Sequence, residues 1–287
     1  MSGKTGIDWT DATWNYLPWR CRPVSTGCQN CYAQALTDRW QGPGAFESEP
    51  PAQLRMNRLL LPWTDPQFRT AFRIFMVSMS DPFYGALPIE DVALVWAVMA
   101  ADQRHLYQGL SKRPGVMLSH LSRPEFPGLV HQALDRLADL AGRGGKLTPM
   151  RRRILADVEA AAGVEMPLPN VMLGVSAEDR HWWKIRVPAL RRVSAAARFV
   201  SVEPFLGELG EVDLAGIDWA ICGGESGPHH RPMDLDWVRD LRDQCQAQGV
   251  AFWFKQVGGR TPRANGDLLD GRQYKQHYTS MGVADGR

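Results

Sequence analysis

The chain is 287 residues long, 44% hydrophobic and close to neutral, with a formal net charge of +2. That length and apolar content suffice for one large core, so a single barrel-type domain spanning 1–287 is expected. No apolar run approaches the about eighteen residues of a bilayer span, so no membrane is expected, and the mild charge neither demands nor excludes nucleic acid.

Residues 1–20 hold several polar and acidic groups and no apolar leader core, which makes the cytoplasm, with reduced thiols, the expected setting. The start is aromatic-rich. Trp9, Trp14, Tyr16 and Trp19 can pack a first strand, expected over about 13–19, or stack a base. Three of the five cysteines follow in Cys21-Arg-Pro-Val-Ser-Thr-Gly-Cys28-Gln-Asn-Cys31-Tyr32-Ala33, while Cys222 and Cys245 lie far away. A disulfide framework needs even pairing and an oxidising compartment. A structural zinc site ordinarily closes with four donors, often as two Cys-x-x-Cys pairs. Here only Cys28 and Cys31 make such a pair, and the next histidine is His105. Three thiolates on one loop suit an iron–sulfur cluster with one coordination position left open. Zinc completed by a later ligand is the alternative.

Further along, short apolar runs cover 73–80, 105–111, 171–176, 198–203, 218–224 and 250–256. Their near-continuous hydrophobicity fits strands buried on both faces, as in a parallel sheet. Helical periodicity fills Ile89–Ala101, 180–197 and 234–248, the last with Asp234 as N-cap and Trp237, Val238 and Leu241 as an apolar stripe. The alternation predicts an α/β fold, a partial or complete (β/α) TIM-like barrel of parallel strands, with a doubly wound open sheet as the alternative. Residues 118–169 break the rhythm. Helical stretches at 127–143 and 149–162, joined by Gly142-Arg-Gly-Gly145, read as a helical insertion. Within it Arg151, Arg152 and Arg153 form a solvated helix face or a phosphate contact.

Parallel barrels bind ligands at the carboxyl ends of their strands. Those ends carry Ser78, Ser80 and Asp81; Ser111, Lys112 and Arg113; Ser176 and Glu178; Ser201 and Glu203; Gly223, Gly224, Glu225 and Ser226; and Lys255 and Gln256. Lys112, Glu178, Glu203 and Lys255 are the candidate catalytic residues. Ser78, Ser80, Asp81, Ser176, Gly223, Gly224 and Glu225, with Tyr32 beside the third cysteine, are the candidate cofactor-binding residues. Cys21, Cys28 and Cys31 are the candidate metal ligands. Carboxylates and cations converging on one cavity suit a zwitterion, and Gly223-Gly224 permits close backbone approach to a ligand.

The stretch Ser25-Thr-Gly-Cys28-Gln-Asn-Cys31-Tyr32-Ala33 resembles the cluster loop of radical S-adenosylmethionine enzymes. The whole chain resembles more specifically the phage gp thirty-seven/gp sixty-eight family of three-cysteine-motif proteins. The matching stretches are Ile7-Asp-Trp-Thr-Asp-Ala-Thr-Trp-Asn15, the cysteine loop, Ser78-Met-Ser-Asp81, Ser111-Lys-Arg-Pro114, Leu168-Pro-Asn-Val-Met-Leu-Gly-Val-Ser176, 198–204, Gly223-Gly-Glu-Ser-Gly227 and Phe254-Lys-Gln256. The resemblance implies a [4Fe–4S] cluster with one iron on each of Cys21, Cys28 and Cys31. It implies S-adenosylmethionine on the fourth iron and a 5′-deoxyadenosyl radical that modifies or repairs a substrate, with nucleic acid or nucleotide as the candidate. An electron-donor protein is the candidate partner, and a phage setting implies the host cytoplasm. The alternative is a zinc-stabilised, non-enzymatic nucleic-acid-binding phage protein. The sequence departs from the radical-enzyme pattern in having six residues between Cys21 and Cys28 instead of three, and Asn30 where an aromatic is common. Its Gly-Gly-Glu element comes near the end of the chain, so Asp81 and Glu225 are both candidates for the cofactor's amino group.

Overall fold

A computed structural model describes residues 5–48, 53–142 and 148–278. Its seven strands are β1 (Ala12–Trp14), β2 (Arg73–Met76), β3 (Leu106–Ser111), β4 (Val171–Ser176), β5 (Ala197–Val202), β6 (Trp219–Cys222) and β7 (Ala251–Phe254). They form one sheet in chain order, every neighbouring pair parallel. The crossovers that parallel pairing requires carry α1 (Tyr32–Gln41), α2 (Met56–Leu59) and α3 (Leu61–Thr64) before β2, and α4 (Ile89–Ala101) before β3. They carry α5 (Pro114–Leu121), α6 (Phe126–Gly142) and α7 (Pro149–Ala160) before β4, α8 (Arg180–Arg191) before β5, and α9 (Leu235–Ala247) before β7. The expected α/β class holds: this is a TIM-like half-barrel with β1 and β7 as its edges. A doubly wound sheet would reverse its strand order at a switch point, and this order never reverses.

Alternation along the strands separates two cores. Ile74, Met76, Val171, Leu173, Val200, Val202, Ala220 and Cys222 join the large cluster shared with the helices. Phe75, Leu106, Met172, Phe199, Trp219, Ile221 and Trp253 point to the other face and form a cluster of their own with Trp9. That second cluster floors the concave side. Trp9 packs on Phe75 at 4.7 Å and edge-on to Trp219 at 6.1 Å. Trp9, Trp14 and Tyr16 are therefore core residues, not a stacking platform. Phe199 lies across Gly174, where a Cβ would sit 2.6 Å from the ring. Gly174→Ala is thus an overpacking change, expected to lower stability by about 1–3 kcal/mol in urea denaturation.

The β7 edge is covered by the C-terminal segment, which donates from Gln276 N to Phe252 O at 3.1 Å and accepts from Phe254 N at Tyr274 O at 2.8 Å. Lys275 reaches on to Asp8 at 2.6 Å, so the two ends of the described chain meet. Local differences from the sequence reading have local causes. The first strand spans only three residues, because Tyr16 O turns away to accept from Arg55 N. β2 ends at Met76, because Val77 adopts φ 56°, outside the strand region. The helix expected over 180–197 stops at Arg191, and Ala197 already belongs to β5. The insertion holds α6 and α7, which pack on α4 and on each other, while α5 begins ahead of it at Pro114. Residues 143–145 of its glycine-rich joint lie outside the described residues. No described helix is long and apolar enough to cross a membrane.

Candidate functional site

The cysteine loop lies over the carboxyl ends of the strands and is pinned there from four of them. Beyond β2, Ser80 Oγ donates to Arg20 O at 2.6 Å and the Tyr32 hydroxyl donates to Ser78 O. Beyond β3, Arg113 reaches Cys21 and Arg22. Beyond β4, Ser25 Oγ donates to Glu178 Oε1 at 2.7 Å. Beyond β6, Asn30 Nδ2 donates to Glu225 Oε2 at 2.9 Å. Gly27 is required at the centre, since a Cβ there would lie 2.4 Å from Glu178 Oε1.

Three of the four rim carboxylates are already committed. Glu178, fully buried, also pairs with Lys112 Nζ at 2.7 Å and Arg186 Nη1 at 2.8 Å. Burial pushes its carboxyl up, but Lys112 and Arg186 outweigh that and hold it below the usual carboxylate range. Asp81 accepts from Phe83 N, Ser111 Oγ, Lys112 N and Arg113 Nη1, all between 2.7 and 3.0 Å. Glu225 accepts from Asn30 and three times from Arg231, and these bonds lower its pKa against the opposing effect of burial. Asp81 and Glu225 therefore brace the loop with the lone pairs a cofactor ammonium would need. Glu203 is less encumbered: it accepts from Ser201 Oγ at 3.2 Å and pairs with Lys255 Nζ at 3.1 Å. The side chains of Glu203, Lys255 and Lys112 keep 16%, 22% and 20% exposure, so all three can meet a ligand from the mouth. Ser176 is buried in register with Ser201, and its carbonyl accepts from Arg186 Nη1 at 2.8 Å.

Gly223 and Gly224 serve close approach, but the partner is the protein itself. A Cβ at Gly224 would lie 1.9 Å from Val257 O, and one at Gly223 would lie 2.8 Å from Glu203 Oε1.

The three thiols are partly buried and free. Burial pushes Cys21 up to about 11, with Arg113 pulling the other way. Burial also raises Cys31, opposed by the amides of Gln34 and Ala33 at the start of α1 and by Lys112. Cys28 lies within electrostatic reach of Arg186 and of both other thiols. Arg113 contacts Cys21 directly, while Lys112 and Arg186, both paired with Glu178, lie within electrostatic reach of Cys31 and Cys28 respectively. Those cations are in turn held by Asp81 and Glu178. Among the described residues no three His, Cys, Asp or Glu side chains converge on a single metal position. Three neighbouring thiols with compensating cations suit an anionic cluster.

The sequence reading placed Arg113 at a strand end without a role and did not anticipate Ser25, Asn30, Arg186 or Arg231. Asn30 carried a signal, a polar residue where the resembled loop has an aromatic. Arg186, one of many arginines on helices, carried none. Cys222 and Cys245 are buried away from the loop.

No curated protein and no solved structure matches the chain. Over residues 4–278, which include all seven strands and the whole cysteine loop, it matches the family described as "Protein of unknown function (DUF5131)", and it belongs to that family.

Proposed function

We propose that this chain is a radical S-adenosylmethionine-like enzyme, with Cys21, Cys28 and Cys31 holding a [4Fe–4S] cluster. The observation that carries this reading is the three-cysteine loop clamped across the strand ends, with Arg113 on Cys21 and with Lys112 and Arg186 within electrostatic reach of the other two thiols. When bound, the cluster and S-adenosylmethionine supply one-electron cleavage of the sulfonium bond, which yields methionine and a 5′-deoxyadenosyl radical. The protein's own groups do the rest. Asp81, Glu178 and Glu225 hold the loop in register on the rim. Glu203 and Lys255, the carboxylate and cation with open sides, meet the ammonium and carboxylate of the cofactor. Lys112, paired with Glu178 and within electrostatic reach of Cys31, keeps a partly exposed side chain on the same rim. The apolar cluster around Trp9, Phe199 and Trp219 lines the concave face and would keep water from reaching the site from that side.

A nucleotide or nucleic-acid substrate completes the reading. Tyr32, next to Cys31 at the start of α1 and 51% exposed, and Trp40, towards the other end of the same helix and 66% exposed, offer ring faces on which bases can stack. The reaction needs one electron per turnover, so an electron-donor protein is the partner.

Anaerobic reconstitution with iron and sulfide tests this. The expected product is brown, holds about four iron and four sulfide per chain, and releases 5′-deoxyadenosine from S-adenosylmethionine under reduction. A colourless, sulfide-free product that leaves S-adenosylmethionine intact would sink the proposal.

A further inference from the structure

The six-residue gap places Cys21 on a longer arm than the tight Cys28–Cys31 pair, so something other than loop length must fix its sulfur. Cys31 opens α1 and Cys28 sits one turn before it, where the short 3-10 turn Thr26–Cys28 holds it. Residues 22–24 are exposed and belong to no helix or strand. Ser80 Oγ donates to Arg20 O and Phe46 O accepts from Cys21 N at 3.0 Å, but the side chain that reaches Cys21 Sγ and Arg22 is Arg113. Arg113 Nη1 donates to Cys21 Sγ at 3.5 Å, and its Nη2 donates to Arg22 O at 2.7 Å. The guanidinium is itself fixed by Asp81 Oδ2 at 2.9 Å and lies over the Tyr84 ring at 5.0 Å from its centroid. Its side chain is only 12% exposed, so solvent screens its charge weakly.

We infer that Arg113 is a positioning residue that fixes the Cys21 arm and makes the cluster bound there easier to reduce. This inference rests on the proposed cluster. Planar geometry lets one guanidinium serve the sulfur, the carbonyl and the carboxylate together, which an ammonium cannot do. A cation and an N–H···S bond beside a ligand sulfur stabilise the electron-richer state, because cluster potentials follow local charge and hydrogen bonding. Asp81, fully accepting, orients the guanidinium and has no lone pair left for a ligand. The Asp81–Arg113–Cys21 chain thereby connects the β2 and β3 ends to the cysteine that departs most from the resembled spacing.

The test compares wild-type protein with Arg113→Gln and Arg113→Lys, and uses two readouts. In the apoprotein, hydrogen–deuterium exchange of residues 20–24 is expected to quicken in both variants, since neither can bridge Cys21, Arg22 and Asp81. After reconstitution, redox titration of Arg113→Gln is expected to show about tenfold less reduced cluster at a fixed potential, a midpoint about 59 mV more negative for one electron. Arg113→Lys, which keeps the charge, is expected to recover most of that shift, which a merely structural residue would not do. If both variants exchange and titrate like wild type, the role of Arg113 is refuted while the cluster stands. If the wild-type protein takes up no iron and sulfide, the proposed function falls first, and the inference with it.

Discussion

Cys28→Ala is expected to lose cluster loading outright, with iron and sulfide after anaerobic reconstitution falling to the level of a protein-free control. Cys28 is the central thiol, in electrostatic contact with Cys21 and Cys31 and near Arg186. Removing it leaves two of the three thiols proposed as cluster ligands, and the nearest hydroxyl is engaged elsewhere: Ser25 Oγ, 3.7 Å from Cys28 Sγ, donates to Glu178 at 2.7 Å. The control is Cys245→Ala. Cys245 is buried on α9, its thiol pushed up to about 12 by burial alone, in the helix-side core. Its loss is expected to cost about 1 kcal/mol of packing and to leave iron uptake unchanged. Equal uptake by Cys28→Ala and wild type in iron and sulfide analysis would show that the loop holds no cluster.

Glu178→Ala is expected to be the most destabilising change at the rim, by about 3–5 kcal/mol in urea denaturation of the apoprotein. It would leave Arg186, itself 1% exposed, as an unpaired buried charge. The same change frees Ser25 and Lys112 from their shared anchor, so loading should fall too. Glu203→Ala breaks only a partly exposed pair and is expected to cost about 1 kcal/mol or less. The folded Glu178 pKa is lowered, so its contribution is present above the unfolded value, about 4.3, and is lost as the pH falls through the lower folded value. Wild-type stability should therefore drop more steeply on acidification below about pH 4 than that of Glu178→Gln, which has no carboxylate to protonate there. Parallel pH profiles for the two proteins would refute this role for Glu178.

Much of the barrel was legible because its signals are local. A strand buried on both faces shows itself as an unbroken apolar run, and Val171–Ser176 matches the expected run residue for residue. The helix Ile89–Ala101 is likewise as expected, its ten buried residues, Val92 to Ala101, forming a continuous apolar block. α1 was not anticipated, because its sequence Tyr-Ala-Gln-Ala-Leu-Thr-Asp-Arg-Trp-Gln buries only Ala33 and Thr37 and shows no strong apolar stripe. Strand ends were read too long wherever a single residue leaves the extended region, as at Val77.

The sequence by itself determined the parallel α/β architecture, the loop that carries the thiols and the set of charged residues at the strand ends. Hydrophobic periodicity and cysteine spacing are properties of neighbouring residues, so they survive without a structure. Only the tertiary structure decided how those charges divide the work. Ser25 meets Glu178 across 153 residues, Asn30 meets Glu225 across 195 and Arg113 meets Cys21 across 92. Such pairings depend on which strand ends stand side by side once the sheet curves. A buried carboxylate with its lone pairs filled and one with an open side have the same letter in a sequence, and only their neighbours in space set Asp81, Glu178 and Glu225 apart as clamps from Glu203 at the mouth.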